Sequence, residues 1–430
     1  MDCEPVPRLP VFGWQAMKGG PTDVPCMLSL PNLYYTTSGR ASILLAMEAL
    51  GVGPGHGVLL PTYHCPTMVA PVAHLGATVI FYPIDEHGTP RLDWLSKQDV
   101  RGVRVLLAPH YFGVPQPMDR IQQWCHSRGI ALVEDCAHAL FGNAGERPIG
   151  AWGDVAIGSL TKFLPMPEGG CLVLNSPAHM PRLNPAPATT QVKAAVDLLE
   201  LGASQGQLFG LNTLVRVGLN TLRGMRGMRG LRGLLRGLLR GLSRDLLRGR
   251  NDVPSRQSDE PELDPPGSAA AGAELLIDSP LAHRRLAAPC RWVADALPRG
   301  RVVQNRRRNS ARLLLELSGH AGLRPLLTEW PSDCAPYVFP LWVDTPDPGY
   351  AELRRLGMPV FRWDRLWPDV PWLANDQGQL WSHHVIQLAC HQDLSDGDIT
   401  RFVGHLLRLY APPGTVRAGD PARFPEIAYR

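Results

Sequence analysis

Lysine is scarce in this sequence. Lys162 is the only lysine between Lys97 and Lys193, although lysine and arginine together number 43. The cationic positions are therefore mostly arginine, whose guanidinium stays protonated under ordinary conditions. A lysine amine, in contrast, can lose its proton and condense with a carbonyl. Lys162, in the stretch SLTKFLPMPEGG, is therefore a candidate for chemistry rather than for surface charge.

The sequence also lacks the patterns of exported, metal-binding and membrane-spanning chains. Its nine cysteines are an odd number without a CxxC pair or metal-ligand spacing, which is typical of reduced thiols and predicts no metal site. The first residues are acidic and contain proline, unlike a secretory signal. No apolar run reaches the ~18 to 20 residues of a membrane span. We therefore expect a cytoplasmic protein.

Strand and helix patterns alternate from about residue 36 to residue 175. Short apolar runs such as GVLLP, VRVLLAPHYFG and IALVED are separated by helical segments. This alternation is typical of a mostly parallel sheet with helices on both faces. Ligands bind such sheets at the carboxyl ends of the strands, where His110, Asp135 and Ser159 fall. We expect residues 1–180 to form a large α/β domain.

The remainder of the chain is predicted to hold an insertion and a second domain. Residues 181–275 run from a Pro-rich stretch through a basic segment into an acidic, Pro/Ala/Gly-rich tail, a composition typical of a flexible insertion. Helical periodicity then returns at 280–298 and 302–318, and a final helix is predicted near 396–410. We expect residues 276–430 to contain helices that return to the large domain and a smaller α+β C-terminal domain.

The basic segment at 214–250 carries an arginine every three or four residues beside a row of leucines, so a helix here would have a cationic stripe. Its glycines destabilise an isolated helix by roughly 1 kcal/mol each relative to alanine. An anionic membrane surface would attract the arginines and bury the leucines, which could offset that cost. The alternative is a disordered basic loop. Nucleic-acid binding is not expected, since no base-reading module accompanies the segment.

Several chemically suited residues follow one another in the large domain. The strand IALVED ends in Asp135, His138 follows three residues later, and Lys162 lies between Ser159 and the sequence EGG. Upstream, Gly39 opens a helix whose first N–H groups can hold an anion. A lysine that forms a Schiff base, a carboxylate for a pyridinium nitrogen and a helix N-terminus for a phosphate together make a pyridoxal phosphate (PLP) site.

The order and spacing of these motifs resemble the DegT/StrS family of PLP-dependent sugar aminotransferases. The run from SGRASILLAMEALG to ATVIFYPID, the motif LVEDCAHAL, the loop KFLPMPEGG and the tail HQDLSDGDITRFV each resemble a segment of that family, in the same order. The resemblance covers most of the chain outside the insertion. It implies the aspartate aminotransferase fold, fold type I of the PLP-dependent transferases.

The resemblance also implies roles for individual residues. Lys162 would form the Schiff base and move protons, Asp135 would keep the pyridine nitrogen protonated, and His138 would contact the phenolic oxygen of the ring. The cofactor phosphate would be held by Ser159 and by the backbone of Gly39, Arg40 and Ala41.

Three departures from the family pattern affect the expected site. Arg40 stands where the family usually has threonine. The aromatic residue that stacks on the cofactor ring falls on Cys65, so Tyr63 or His64 would have to replace it; we place His64 among the cofactor residues, and the sequence leaves the choice among the three open. LIDSPLAHRR stands where the family has a GxNxR segment.

The function implied is the transfer of an amino group from an amino acid, glutamate by expectation, to a keto acceptor such as a nucleotide-linked keto sugar. The family further implies a homodimer. Two alternatives remain open: a non-catalytic PLP-binding or membrane-associated protein, and a PLP-dependent lyase or transferase acting on a lipid-linked substrate. The basic segment adds an expected peripheral contact with the inner face of a membrane.

Overall fold

The computed structural model describes residues 6–14, 16–17, 24–213, 215, 277–332 and 334–411. The strands are β1 (Leu33–Thr36), β2 (Gly57–Pro61), β3 (Thr78–Tyr82), β4 (Val103–Pro109), β5 (Ala131–Asp135), β6 (Asn143–Ala144), β7 (Arg147–Pro148), β8 (Val155–Ser159), β9 (Gly170–Leu174), β10 (Leu323–Pro325), β11 (Val338–Val343), β12 (Val360–Phe361) and β13 (Val385–Ala389).

The helices of the same residues are α1 (Gly39–Ala49), α2 (Pro66–His74), α3 (Leu92–Leu95), α4 (Met118–His126), α5 (Ala188–Ser204), α6 (Ser279–Ala282), α7 (Ala288–Ala296), α8 (Arg299–Leu317), α9 (Gly349–Arg355), α10 (Gly378–His384) and α11 (Asp396–Tyr410). Short 3-10 turns lie at Met27–Ser29, Tyr111–Gly113 and Leu160–Lys162. None of the described helices is both long and apolar enough to cross a bilayer.

A seven-stranded sheet forms the centre of the molecule, in the order β1-β9-β8-β5-β4-β2-β3. The strands β3, β2, β4, β5 and β8 run parallel, whereas β9 is antiparallel to both of its neighbours. Most residues of the inner strands are apolar and buried, as expected for a parallel sheet covered on both faces, and the exceptions include the exposed Arg104 of β4 and the buried acids Glu134 and Asp135 of β5. The predicted sheet is therefore confirmed.

The register of the parallel strands brings their polar ends together. Pro109 at the end of β4 pairs with Asp135 at the end of β5, and Asp135 pairs with Ile157 of β8. Consequently His110, Asp135 and Ser159, which the sequence places at three strand ends, lie at one edge of the sheet. This is the edge at which open α/β sheets bind ligands.

A second sheet has four antiparallel strands in the order β10-β11-β13-β12. The closing helix α11 begins with a capping box, in which Ser395 and Asp398 each accept a hydrogen bond from the other's backbone N–H. Its bounds, Asp396–Tyr410, agree with the helix predicted near 396–410.

The structure departs from the sequence prediction in two described segments. The helix predicted at 280–298 is broken into α6 and α7, because Pro289 lies in the first turn of α7 and its ring prevents a helix from continuing through it. Part of the segment predicted as a flexible insertion, Ala188–Ser204, forms helix α5, which buries Ala194 and Leu198. The basic segment 216–250 lies outside the described residues.

Candidate active site

A cleft opens at the carboxyl edge of the seven-stranded sheet and contains about 430 Å³ of space, part of it open to solvent. The large sheet and its helices supply most of the lining, and one residue comes from the chain beyond β12. The lining residues are Gly39, Arg40, Ile43, Cys65, Thr67, Met68, Pro109, His110, Asp135, Ala137, His138, Ile157, Ser159, Lys162 and Trp363.

The N-terminus of helix α1 forms one wall of the cleft. Ser38 caps the helix by accepting a hydrogen bond from the backbone N–H of Ala41 at 3.1 Å. Gly170 of β9 makes this arrangement possible, because a Cβ at that position would lie 2.3 Å from the carbonyl oxygen of Ser38. Gly39 and Arg40 line the cleft at the positive end of the helix dipole, where an anion is stabilised.

Asp135 projects from the end of β5 and is buried. Its carboxylate accepts a hydrogen bond from the backbone N–H of Ala137 at 2.8 Å. Burial raises the pKa of this carboxyl, although the Ala137 N–H and the charges of Lys162 and His110 act in the opposite direction. A cationic group bound beside Asp135 would stabilise its ionised form.

His138 lies between two aromatic side chains, with ring centroids 4.3 Å from Tyr337 and 4.9 Å from Trp363. Burial, together with the positive charge of Lys162, holds the pKa of His138 well below its ordinary value, so the imidazole is neutral. Its Nδ1 accepts a long hydrogen bond of 3.5 Å from the backbone N–H of Phe112. The proton therefore belongs on Nε2, which is buried and has no protein partner among the described residues.

Lys162 ends the 3-10 turn that follows β8 and lies in the same cleft. Its side chain is buried, and its Nζ atom lies 5.0 Å from the centroid of the Tyr337 ring. The structure thus brings Lys162, Asp135 and His138, which are separated along the sequence, to one small volume. These three are the residues that sequence analysis selected for catalysis.

The structure does not bring the His64 side chain into the cleft. The His64 ring stacks on Phe81 with centroids 5.0 Å apart, and its Nε2 accepts a hydrogen bond from the backbone N–H of Trp367 at 3.0 Å. Burial lowers the pKa of His64 to about 4, which agrees with a neutral structural histidine. Cys65, the next residue, lines the cleft instead. Of the three residues that the sequence left open, Cys65 is therefore the one that lines the cleft, whereas His64 does not.

Tyr63 belongs to an aromatic cluster beside the cleft rather than to its lining. Its ring lies 4.9 Å from Trp363 and 5.4 Å from Tyr111, and its hydroxyl accepts a hydrogen bond from Gln387 at 3.1 Å. Trp363 both contacts this cluster and lines the cleft. It is therefore the aromatic side chain best placed to cover a bound ring.

Two acids, the buried Glu134 and the partly buried Glu168, support the site without lining it. Glu134 accepts hydrogen bonds from His110 Nε2 at 3.0 Å and from the backbone N–H groups of Gly150 and Trp152. Its contacts with His110 and Cys136 resemble a metal-ligand cluster, but these hydrogen bonds already satisfy the carboxylate. Glu168 of the EGG sequence forms an ion pair with Arg284 and thereby fixes the loop that follows Lys162.

Sequence reasoning missed Tyr337 and Arg306, and for Trp363 it left pocket lining and simple packing equally open. The first two lie more than 140 residues from Lys162 along the chain and contact it only through tertiary folding. The fully buried Arg306 lies within the charged run NRRRN, which reads as a solvent-exposed helix face. Its neighbours at i−3 and i−4, Val303 and Val302, are buried, and this helical periodicity is the signal that could have identified it.

The side chains of the cleft fit PLP. The buried carboxylate of Asp135, the unpartnered N–H of His138 and the N-terminus of α1 are complementary to a pyridinium, a phenolic oxygen and a phosphate, respectively. Lys162 supplies the amine that an aldehyde requires. The walls between these groups, which include Ile43, Met68 and Ile157, are apolar, as an aromatic ring demands.

Comparison with known proteins agrees with this geometry. Residues 32–187 match the model of the DegT/DnrJ/EryC1/StrS aminotransferase family. A dTDP-4-dehydro-2,3,6-trideoxy-D-glucose 4-aminotransferase of Saccharopolyspora spinosa is 29% identical over 156 residues, which cover 35% of this chain and 40% of the relative. The match thus spans less than half of the relative's length. The family resemblance predicted from the sequence is confirmed.

Solved structures that are similar to most of the chain are also aminotransferases. The aminotransferase TlmJ of Streptoalloteichus hindustanus superimposes with a TM-score of 0.53 at 20% identity, covering 88% of this chain and 86% of its own. A sugar aminotransferase of Streptococcus pneumoniae in its PLP form gives a TM-score of 0.53 at 15% identity and covers 94% and 98%, respectively. At these identities the likeness shows the fold, and the predicted fold class is confirmed.

Proposed function

We propose that this chain, whose residues 32–187 match the DegT/DnrJ/EryC1/StrS family, is a PLP-dependent aminotransferase. The convergence of Lys162, Asp135 and His138 in one cleft at the carboxyl edge of the sheet carries the proposal. The amino donor is an amino acid, and glutamate is the donor we would test first. The acceptor is a nucleotide-linked keto sugar, as the name of the Saccharopolyspora relative suggests.

Different residues of the cleft would hold different parts of the cofactor. The backbone N–H groups of Gly39 and Arg40 and the hydroxyl of Ser159 would bind the phosphate at the start of α1. The N–H of Ala41, which the sequence also suggested for this role, instead donates to Ser38. Asp135 would keep a proton on the nitrogen that faces it, because a buried carboxylate is stabilised by an adjacent cation. His138 would donate a hydrogen bond from Nε2 to the phenolic oxygen. When bound, PLP supplies an aldehyde that exchanges between amines and a ring that withdraws electrons from the adjacent carbon.

Lys162 would both tether the cofactor and move the proton of the reaction. Its Nζ atom is the amine of the cleft that can bind an aldehyde carbon. Once an amino donor takes that position, the same amine is free to accept the proton from the donor carbon and to return it elsewhere. The ring of Tyr337, 5.0 Å from Nζ, limits where this amine can go. Burial of the amine and of its neighbours keeps water from competing for the proton.

The absorbance spectrum of protein purified with PLP tests this proposal. Glutamate should convert the bound cofactor to its amine form in a single half-reaction, with the band of the covalent adduct disappearing. Lys162→Ala should abolish the adduct that borohydride traps, whereas Lys193→Ala should preserve it because Lys193 forms an exposed pair with Asp197. Trapping in the Lys162→Ala variant would refute the assignment. No spectral change with any amino donor would favour the non-catalytic alternative.

We further propose that the protein is a cytoplasmic homodimer, as the family implies, and that residues 214–250 bind anionic lipid surfaces. The described cysteines are all free and buried, which agrees with a reducing compartment. The lipid proposal rests on the sequence of a segment that lies almost wholly outside the described residues. Deleting 214–250 should abolish flotation with anionic liposomes and leave the half-reaction intact. Equal flotation of both proteins would show that the segment is not an anchor.

A further inference from the structure

Arg306 is the largest side chain that the described part of the chain buries completely. It lies in the middle of helix α8 and uses its whole guanidinium for hydrogen bonds. Nε donates to Oε1 of Gln392 at 2.8 Å, Nη1 donates to the carbonyl oxygens of Pro336 and Tyr337 at 3.0 and 2.9 Å, and Nη2 donates to the carbonyl oxygen of Lys162 at 2.7 Å.

These acceptors belong to both sides of the active-site cleft. Lys162 follows β8 of the seven-stranded sheet, whereas Pro336 and Tyr337 lead into β11 of the four-stranded sheet. Gln392 closes the arrangement, because its Nε2 donates to the carbonyl oxygen of Phe163 at 2.8 Å. The guanidinium carbon also lies 4.5 Å from the centroid of the Phe163 ring. One side chain therefore holds the backbone at Lys162 and the backbone at Tyr337 together.

A purely structural role explains this arrangement poorly. All four acceptors of Arg306 are uncharged oxygen atoms, and burying a cation against neutral groups is costly. Burial accordingly lowers the pKa of Arg306 to about 10. A neutral side chain would fill the same space at lower cost. What only arginine provides is a rigid planar fork that reaches acceptors on two sides at once.

We propose that Arg306 is a positioning residue, which sets the Lys162 amine against the ring of Tyr337 and so fixes the point from which Lys162 acts. The inference rests on the proposed function in that it assigns Lys162 the role of proton carrier. The proposal depends on the distance between the Lys162 amine and the Tyr337 ring, and this distance can be probed without a cofactor.

The scarcity of lysine makes that measurement possible. The chain has four lysines, at positions 18, 97, 162 and 193. Reductive methylation of cofactor-free protein with ¹³C-formaldehyde gives each amine its own methyl signal in an NMR spectrum. The Lys162 signal is assigned by its loss in Lys162→Arg, and the contribution of the Tyr337 ring current is defined by the Tyr337→Leu variant.

Arg306→Met retains the length of the side chain and its packing on Phe163 but removes the donors. The Lys162 methyl signal should move toward its position in Tyr337→Leu, while the other lysine signals stay in place. Arg301→Met is the matched control, because Arg301 lies on the same helix and pairs with Asp393 at 2.8 Å without contacting Lys162. It should leave the Lys162 signal unchanged.

Arg306→Lys decides the question if Arg306→Met does not fold, since a single ammonium cannot reach both sides of the cleft. A Lys162 signal that stays at its wild-type position in a folded Arg306 variant would overturn the proposal. With PLP bound, Arg306→Met should lower the rate of the glutamate half-reaction by about 100-fold, the effect of a misplaced reacting group. Failure of the half-reaction in wild-type protein would instead refute the proposed function and leave the NMR result standing.

Discussion

The Nζ atom of Lys162 lies 5.0 Å from the centre of the Tyr337 ring, and the imidazole of His138 packs on that same ring at 4.3 Å. Tyr337 precedes β11 of the four-stranded sheet, whereas His138 and Lys162 follow strands β5 and β8 of the seven-stranded sheet. The seven-stranded sheet thus positions the catalytic groups, and Tyr337, which lies outside that sheet, completes the site.

This contact predicts different outcomes for two substitutions of Tyr337. Tyr337→Phe keeps the ring and should retain nearly full activity. Tyr337→Leu removes the surface against which both Lys162 and His138 are packed, so the rate of the glutamate half-reaction should fall by about 10- to 100-fold. Stopped-flow absorbance measures both rates. Equal rates in the Phe and Leu variants would show that the ring has no positioning effect.

Asp135→Asn should retain the cofactor and lose activity. The neutral amide fills the same space, but it cannot keep a proton on the nitrogen that faces it, so turnover should fall by at least about 100-fold. Asp154→Asn is the control, because Asp154 lies before β8 and its oxygen can still accept from the backbone N–H of Leu132. Steady-state kinetics with spectroscopic measurement of cofactor content separates binding from catalysis. Normal turnover by Asp135→Asn would refute its electronic role.

The buried Glu134 predicts acid sensitivity. Burial acts to raise the pKa of this carboxyl, but the hydrogen bond from His110 and the N–H groups of Gly150 and Gly153 outweigh it, so the pKa lies below its ordinary value. Such a group stabilises the fold above the ordinary carboxyl pKa of 4.5, and the stabilisation is lost as the pH falls through the lower folded-state value. Urea unfolding between pH 3 and pH 7 should show this loss.

Glu134→Gln isolates the contribution of that carboxylate. The NH₂ group of the glutamine cannot accept hydrogen bonds from the backbone N–H groups of Trp152 and Gly153. The free energy of unfolding near neutral pH should therefore fall by about 3 kcal/mol. The exposed Asp99, which pairs with Arg101, serves as the control, and Asp99→Asn should change stability little. An acid transition that is identical in wild-type and Glu134→Gln proteins would contradict the assignment.

His283 predicts a pH dependence of the opposite sign. Partial burial acts to lower its pKa, but hydrogen bonds to the Ser279 carbonyl and to Glu48, at 2.8 Å each, raise the pKa above 6.5 overall. The pair therefore stabilises the contact of α6 with α1 below pH 6.5, and this contribution disappears as the pH rises through the folded-state value. The effect should be under about 1 kcal/mol, because the pair is partly exposed.

Thermal unfolding of wild-type and His283→Gln proteins checks this prediction. The difference between their Tm values should be largest near pH 5.5 and should shrink toward pH 8.5. A difference that is constant across this range would mean that packing, not charge, accounts for the role of His283.

The sequence predicted the parts of the site that local order determines. Asp135 and Ser159 end apolar strands, and parallel strands place their ends together, so pattern and spacing sufficed for them and for Lys162. The sequence left the choice among Tyr63, His64 and Cys65 open, because the register of three adjacent residues after β2 decides which one faces the cleft. The orientation of His64 is determined by two tertiary contacts that the local sequence does not specify. Its ring stacks on Phe81, and its Nε2 accepts a hydrogen bond from the Trp367 N–H.

The residues beyond the insertion were harder to assign for the same reason. Tyr337 and Arg306 contact Lys162, and Trp363 lines the cleft, only through tertiary folding. Arg306 illustrates the limit, because helical periodicity can indicate that it is buried but not which carbonyl oxygens it binds.

The burial of the cysteines gives the protein a built-in chemical reporter. Eight cysteines lie in the described residues, and all are buried, but only Cys65 lines the cleft. A small thiol reagent added to the folded protein should therefore reach Cys65 first, and a molecule bound in the cleft should block that reaction. The remaining seven should react only when the chain opens. Thiol labelling should then occur in two phases, of which the fast one reports whether the cleft is occupied and the slow one reports unfolding. Cys3, which lies outside the described residues, is first replaced by serine so that it does not contribute.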